Sequence, residues 1–245
     1  MERPVKLSDF KALTFDCYGT LIDWEPGMLA HLQPWAKRNG IQMSDATLLE
    51  TYSKGEHALE KANPKMLYPE ILAGAHRALA KTLKVPVDEA AATAFGASIG
   101  EWDPFADTNE ALAYLKKHYK LVILSNVNDA GVAKSAAKMG NPFDDIITAE
   151  QVGSYKPTHN HFHEAFKRLK TMGVEKHQIL HTAQSLFHDH IPANELGLNN
   201  AWIDRRAKRG GGAGATVPVG QMPKLDYRFE SMAEFVAAHK KETGG

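Results

Sequence analysis

The feature of this sequence that most limits its fold is an alternation of short apolar runs with amphipathic segments after residue 101. The runs are continuous and brief, as expected of strands that are buried on both faces. An earlier run of the same kind is Ala12–Phe15. The later runs lie at 121–124, 146–147, 179–180 and 201–203. Strands that alternate with helices in this way predict right-handed βαβ units around a parallel sheet.

Residues 24–100 follow a different pattern, with apolar side chains at helical spacing and no convincing strand. A chain of 245 residues is long enough for one domain with a large insert. We therefore expect an α/β core from residues 1–23 and 101–245, a Rossmann-like, doubly wound parallel sheet. Residues 24–100 form a helical cap domain in this prediction. The basic and glycine-rich stretch 205–214 is interpreted as a mobile surface loop.

Composition excludes some classes of partner. Lysine plus arginine and aspartate plus glutamate both number 29, so the net charge is zero. Nothing in this balance favours nucleic acid or an anionic membrane surface. Cys17 is the single cysteine, which excludes an internal disulfide, and we interpret it as a small buried side chain. The sequence begins without the apolar stretch of a signal peptide, so we expect a cytoplasmic protein.

Polar residues follow four of the predicted strands or lie a few positions beyond them. They are Asp16, the pair Ser125 and Asn126, Lys156, and Asp189. Ligands of an open parallel sheet bind beyond the carboxyl ends of its strands. Each residue alone has a plain explanation, such as a turn or a helix N-cap for an aspartate. Their complementary chemistry predicts a shared site.

The segments that carry these residues resemble the four motifs of the haloacid dehalogenase superfamily, in order and in spacing. The matching segments are 15–21 (FDCYGTL), 124–126 (LSN), 155–157 (YKP) and 184–189 (QSLFHD). The resemblance covers nearly the whole chain and implies a helical cap between the first two motifs. It also implies that Asp16 is the nucleophile and becomes covalently modified.

Two positions distinguish the branches of this superfamily. Its phosphatases resemble one another in a second aspartate, two residues after the nucleophile, that protonates the leaving oxygen. They also bind Mg²⁺ through acids of the fourth motif. This sequence has Tyr18 in place of the second aspartate and Gln184 in place of one acid of the fourth motif, although Asp189 of that motif remains. A halide leaves without a proton, so the pattern resembles the type II 2-haloacid dehalogenases, and we expect no cofactor and no metal.

The resemblance implies a two-step hydrolysis of a small 2-haloalkanoic acid to the 2-hydroxy acid. Asp16 displaces the halide and forms an ester, which water then cleaves. Lys156 would hold the nucleophile and Asp189 would activate the water. The expected substrate-binding residues are Tyr18, Thr20, Ser125 and Asn126. We expect a small-molecule partner only, in a possible homodimer.

One departure from the branch concerns its cap arginine, which grips halide or carboxylate. Arg38 and Arg77 do not lie where that arginine is expected, and Lys54, His57 and Lys61 stand around the second cap helix instead. Two other functions stay open. One is a phosphatase of the same superfamily, acting on a small phosphate monoester with an altered proton donor. The other is a binding protein on a decayed enzyme scaffold.

Overall fold

The computed structural model describes residues 5–207 and 217–244 and contains one six-stranded parallel sheet. Its spatial order is β3-β2-β1-β4-β5-β6. The strands are β1 (Ala12–Phe15), β2 (Lys120–Ser125), β3 (Asp145–Thr148), β4 (Ile179–Ala183), β5 (Asn199–Ile203) and β6 (Tyr227–Phe229). The predicted fold class, a Rossmann-like α/β sheet, is confirmed.

Strand β1 lies at the centre of the sheet, between β2 and β4. All four of its side chains are buried, because helices cover both faces of a parallel sheet. The five predicted strands are present, each lengthened by a few residues at most. Strand β6 was not predicted, since it is only three residues long and carries the exposed Arg228. Cys17 is fully buried, as expected of a small side chain after β1.

A helical insert follows β1. It consists of α1 (Trp24–Arg38), α2 (Asp45–Ala62), α3 (Tyr68–Thr82) and α4 (Glu89–Ala97). Ser44 caps α2 through its side chain, which accepts a hydrogen bond from the Thr47 amide. Trp35, Tyr52 and Phe95 form the apolar centre of the insert, and the last two rings meet edge to face at 5.3 Å. The predicted domain boundaries at 24 and 100 stay a prediction.

The remaining α-helices belong to the core: all but the last lie in the chain between its strands, and the last follows β6. They are α5 (Thr108–Leu115), α6 (Asp129–Lys138), α7 (Ala149–Val152), α8 (Asn160–Thr171), α9 (Ile191–Glu195) and α10 (Met232–Thr243). Asn128 occupies the N-cap position of α6, but its side chain makes no capping bond. In the described part of the chain, no helix combines the length and the apolar character that crossing a membrane requires.

Part of the segment interpreted as a mobile loop is firmly held. The Arg205 guanidinium pairs with Asp107 at 2.8 Å and lies over the Phe105 ring. Arg206 pairs with Glu25. These two arginines therefore contradict the prediction of mobility at its start, and residues 208–214 of that segment lie outside the described residues.

Candidate active site

Asp16 follows β1 directly, where its side chain emerges at the carboxyl edge of the sheet. Its two carboxylate oxygens have different partners. Oδ1 accepts a hydrogen bond from the Lys156 ammonium at 2.9 Å, and Oδ2 accepts one from the Thr20 hydroxyl at 2.7 Å. The side chain keeps 11% of its surface exposed. Asp16 is thus fixed in orientation but still accessible from one side.

Lys156 is almost completely buried, and its ammonium donates three hydrogen bonds. The acceptors are Asp16 Oδ1 at 2.9 Å, Asp189 Oδ1 at 2.8 Å and the Leu124 carbonyl at 2.8 Å. An ammonium has three N–H donors, so none is left over. The distances to the two carboxylates add to 5.7 Å, which sets the largest possible separation of those oxygens. The buried lysine therefore holds two carboxylates together.

Asp189 lies in a single π-helical turn, Leu186–His190, whose N-cap is Ser185. The alternative of a helix N-cap for Asp189 is therefore wrong. Its Oδ1 also faces Nε2 of His181 at 3.1 Å, and Nδ1 of that ring faces the Thr14 hydroxyl at 2.9 Å. This chain of contacts is satisfied when Nε2 carries the ring proton. The other oxygen of Asp189, Oδ2, is buried and has no hydrogen-bond partner among the described residues.

The electrostatics of this cluster follow from burial and from the shared ammonium. Burial raises the pKa of Asp16, against the opposing charge of Lys156. Burial would also raise the pKa of Asp189, but Lys156 and His181 hold it below its usual range. For Lys156, burial favours the neutral amine, yet the two carboxylates keep its pKa above the ordinary value. A charged lysine between the carboxylates is the state that this geometry favours.

Thr20 connects the nucleophile to the rest of the core. Its hydroxyl donates to Asp16 and accepts the amide N–H of Gln184 at 2.9 Å, so it aligns the first and fourth motifs. Its carbonyl accepts two hydrogen bonds from the Arg205 guanidinium, at 2.9 and 3.0 Å. Arg205 and Thr20 thus act as positioning residues for Asp16.

The other three predicted binding residues line the same cavity as Asp16 but have partners within the protein. The Tyr18 hydroxyl is hydrogen-bonded to Ser135 at 2.8 Å. Ser125 Oγ accepts the amide of Val127. Asn126 Oδ1 accepts the amide N–H of Lys156 at 2.7 Å, and its Nδ2 donates to the carbonyl of that residue. Asn126 therefore fixes the backbone that carries the lysine.

The cavity encloses about 610 Å³ of empty space, counting its open mouth. Helix α2 of the insert supplies one wall, which the sequence analysis did not identify: Glu56, His57 and Glu60 face the cavity. Both glutamates are buried, and Glu56 Oε1 accepts a hydrogen bond from Tyr68 at 2.6 Å. Burial raises the pKa of Glu56 to about 7, although its tyrosine partners oppose this. The sequence signal that could have identified this wall is the pair Glu56 and Glu60, two acids four residues apart on an otherwise apolar face of the helix.

The arginines and lysines of the insert that the sequence analysis named do not line the cavity. Arg38 pairs with Asp88, and Arg77 pairs with Glu89. Lys54 and Lys61 are exposed, on the outer side of α2. Of the cap residues named there, only His57 lines the cavity, so no arginine of the insert replaces the one expected from the resemblance.

A magnesium ion between Oδ1 of Asp16 and Oδ1 of Asp189 does not fit these residues. The facing oxygens of the two carboxylates are already bonded to the Lys156 ammonium, which a dication between them would repel. Position 184 provides the amide of Gln184 instead of an acid. The site favours an ammonium, not Mg²⁺, between the two aspartates.

With this geometry established, comparison with known proteins identifies the family. The family model of the haloacid dehalogenase-like hydrolases matches residues 10–182. The chain belongs to this family. The match extends from the strand that carries Asp16 into the strand that precedes Asp189 and includes Lys156. The predicted membership of this hydrolase in the superfamily is therefore confirmed.

Solved structures of similar fold include several dehalogenases. The L-2-haloacid dehalogenase PA0810 superposes with a TM-score of 0.75 at 22% identity, over 96% of this chain and 100% of that one. The L-2-haloacid dehalogenase from Xanthobacter autotrophicus, with chloropropionic acid covalently bound, gives 0.74 at 17%, over 96% and 100%. The HAD-hydrolase YfnB from Bacillus subtilis, bound to magnesium, gives 0.73 at 19%, over 94% and 99%. No curated protein matches the sequence. At these identities the likeness concerns the fold of this hydrolase.

Proposed function

We propose that this hydrolase cleaves the carbon–halogen bond of a small 2-haloalkanoic acid and releases the 2-hydroxy acid. The observation that carries the proposal is the carboxylate of Asp16. It is buried, held at both oxygens and accessible from the cavity, while Tyr18 stands where a phosphatase would need an acid. The tyrosine hydroxyl is bonded to Ser135, and burial raises its pKa well above 10. It is therefore a poor proton donor for a leaving alkoxide.

In the first step, an oxygen of Asp16 attacks C2 and the bond from carbon to halogen breaks, so the halide leaves with the bonding electrons. The product is an ester between Asp16 and the substrate. No proton moves in this step. Lys156 and Thr20 orient the carboxylate, and Lys156 keeps the aspartate ionised in spite of its burial.

In the second step, water attacks the carbonyl carbon of the ester and gives up a proton. Oδ2 of Asp189 has no hydrogen-bond partner among the described residues and can accept that proton. The other oxygen, Oδ1, is held by Lys156 and His181, so the free oxygen has a fixed position. The ester bond to Asp16 breaks on its acyl side, the departing alkoxide takes the proton back from Asp189, and the alcohol oxygen of the product comes from the aspartate.

The substrate-binding residues, the cellular location and the oligomeric state are also proposals. The substrate-binding roles of Tyr18, Ser125 and Asn126 rest on their place in the cavity, and that of Thr20 rests on its hydrogen bond to Asp16. A cytoplasmic location and a homodimer rest on the sequence alone.

The test is mass spectrometry of the protein after incubation with chloroacetate in heavy-oxygen water. Each turnover leaves one solvent oxygen on Asp16, so after several turnovers the peptide that carries Asp16 gains about 4 Da, one solvent oxygen in each carboxylate position. The Asp16→Asn variant is the matched control and gains no label. Release of phosphate from monoesters without release of chloride would replace this proposal with the phosphatase. Neither activity, in a folded protein, would favour the decayed scaffold.

A further inference from the structure

Three side chains with metal-binding atoms meet where the helical insert faces the fourth motif. His57 and Glu60 lie three residues apart on α2, hence on one face of the helix, and His188 belongs to the π-helical turn opposite. One ligand atom from each residue lies within 4.8 Å of the other two. In residues 5–207 and 217–244 this is the one group of its kind. Two structural units thus contribute to a single cluster.

Two nitrogens of this cluster are buried without a partner. Nδ1 of His57 and Nε2 of His188 have no hydrogen bond to any described residue. Buried polar atoms are nearly always paired, so each exception needs an explanation. The remaining nitrogen of His188 contacts the Ser185 hydroxyl at 3.3 Å, which orients the ring. In metal-binding histidines, a hydrogen bond at the far ring nitrogen commonly fixes the orientation of the ring.

We propose that a divalent cation of the zinc class binds to His57, Glu60 and His188 and joins the insert to the core. Two imidazoles and one carboxylate, with a fourth position open, form a donor set that suits zinc in tetrahedral geometry. Ligand atoms around such an ion lie about 3.4 Å apart. Because the three ligand atoms lie within 4.8 Å of one another, the widest pair must approach by at most about 1.4 Å, which small side-chain rotations can supply. The site is distinct from the Mg²⁺ position of phosphatases, and it replaces the expectation of a metal-free protein.

The fourth coordination position of this metal would offer a site for an anion, which the cavity otherwise lacks. This step rests on the proposed function, in which the substrate is an anion. Lys156 is the only lysine or arginine among the described residues that line the cavity, and all three of its N–H groups are taken. The acids Glu56 and Glu60 on the opposite wall offer an anion no positive charge. A dication at the cluster would supply that charge, so the fourth position takes the substrate carboxylate.

The first experiment measures binding in the absence of any reaction. Protein stripped with a chelator and dialysed is titrated with ZnCl₂ by calorimetry and with CoCl₂ by absorption spectroscopy. We expect one equivalent of either metal, with the visible absorption of a four-coordinate cobalt site. His57→Gln, Glu60→Gln and His188→Gln should each weaken binding at least about 100-fold. Thermal unfolding without metal checks that the variants remain folded.

The matched control is His163→Gln. His163 is exposed and lies one turn from His159 on α8, a surface pair able to capture stray metal. This variant should bind as the unaltered protein does. Binding that is lost in His163→Gln but kept in the three cluster variants overturns the proposal. So does a protein that takes up no zinc at concentrations up to about 100 µM, a range that covers ordinary structural and catalytic sites.

The second experiment tests the ligand class separately from the chemistry. Asp16→Asn protein loaded with cobalt is mixed with chloroacetate or acetate, which it cannot convert. A change in the cobalt spectrum with both acids supports carboxylate binding at the open position. An unchanged spectrum overturns that role while the metal site itself stands. Failure of the proposed dehalogenation would instead appear in the oxygen-labelling experiment, with metal binding unaffected.

Discussion

Replacement of Lys156 by methionine tests whether one buried ammonium holds the active site together. The side chain is 1% exposed and bonds to Asp16, Asp189 and the Leu124 carbonyl. Methionine nearly preserves the length and removes the charge. The variant leaves two carboxylates without a cation, at most 5.7 Å apart, the sum of their distances to Nζ. Removing one partner of a buried ion pair costs about 3–5 kcal/mol.

Urea unfolding at neutral pH measures this cost directly. For a chain of this length, the same loss lowers the midpoint of thermal unfolding by about 6–20 °C. Lys117→Met is the matched control, because Lys117 is exposed, and its change should stay within about 0.5 kcal/mol. A Lys156→Met variant within about 1 kcal/mol of the unaltered protein would refute the picture of a charged triad.

A double variant shows whether the loss arises from the unpaired carboxylates. Lys156→Met with Asp189→Asn removes one of the two stranded charges, so it should be more stable than the sum of the single changes predicts. We expect a coupling of at least about 1 kcal/mol. Effects that add within about 0.5 kcal/mol would mean that the lysine acts through packing alone.

Three further predictions concern individual side chains. Asp189→Asn should release one equivalent of chloride from chloroacetate and retain the adduct on Asp16 in intact-mass analysis, because ester formation needs no base. Thr20→Val removes the hydroxyl that joins Asp16 to the Gln184 amide, and kcat should fall about 10- to 100-fold while the protein stays folded. His161→Gln should lessen acid destabilisation: burial lowers the pKa of His161 to about 3, so the unfolded chain binds this proton near pH 6.5 and the folded one does not.

Each of these predictions has an outcome that contradicts it. Normal turnover by Asp189→Asn would place the water-activating group elsewhere, and no chloride release would give Asp189 a part in the displacement. An unchanged kcat for Thr20→Val would mean that Lys156 alone orients Asp16. Between pH 6.5 and roughly pH 4.5, His161→Gln should lose about 2 kcal/mol less unfolding free energy than the unaltered protein. Equal losses would show that His161 takes up its proton in the folded state.

The part of the site that the sequence predicted is the part that the sheet positions. Asp16 and Ser125 stand at the ends of adjacent parallel strands, so any sheet with this strand order brings them together. Lys156 and Asp189 lie some residues beyond the ends of β3 and β4, and the Lys156 ammonium is hydrogen-bonded to both Asp16 and Asp189. Periodicity and strand ends were sufficient for these residues because the constraint is topological.

The wall on α2 could not be predicted in that way. Helical spacing identifies a helix face but not the body against which that face packs. Glu56 and Glu60 occupy the buried side of α2 next to Tyr52, where a like-charged pair four residues apart is unfavourable on its own. Their burial depends on Tyr68 and on the opposite motif, which are distant in sequence. The same holds for Arg205, whose bonds to the Thr20 carbonyl span 185 residues.

The residues placed by the sheet and those placed by packing of the insert have different roles in the site. The sheet positions Asp16, Lys156 and Asp189, which pair with one another. All three N–H groups of the lysine are bonded to the two carboxylates and one carbonyl. The triad has no N–H donor left for a further anion. Under the proposed function, recognition of an anionic substrate would therefore fall to the helical insert, where His57 and Glu60 face the cavity. Changes in α2 should alter which acid is bound, through KM, while changes at the strand ends should alter kcat.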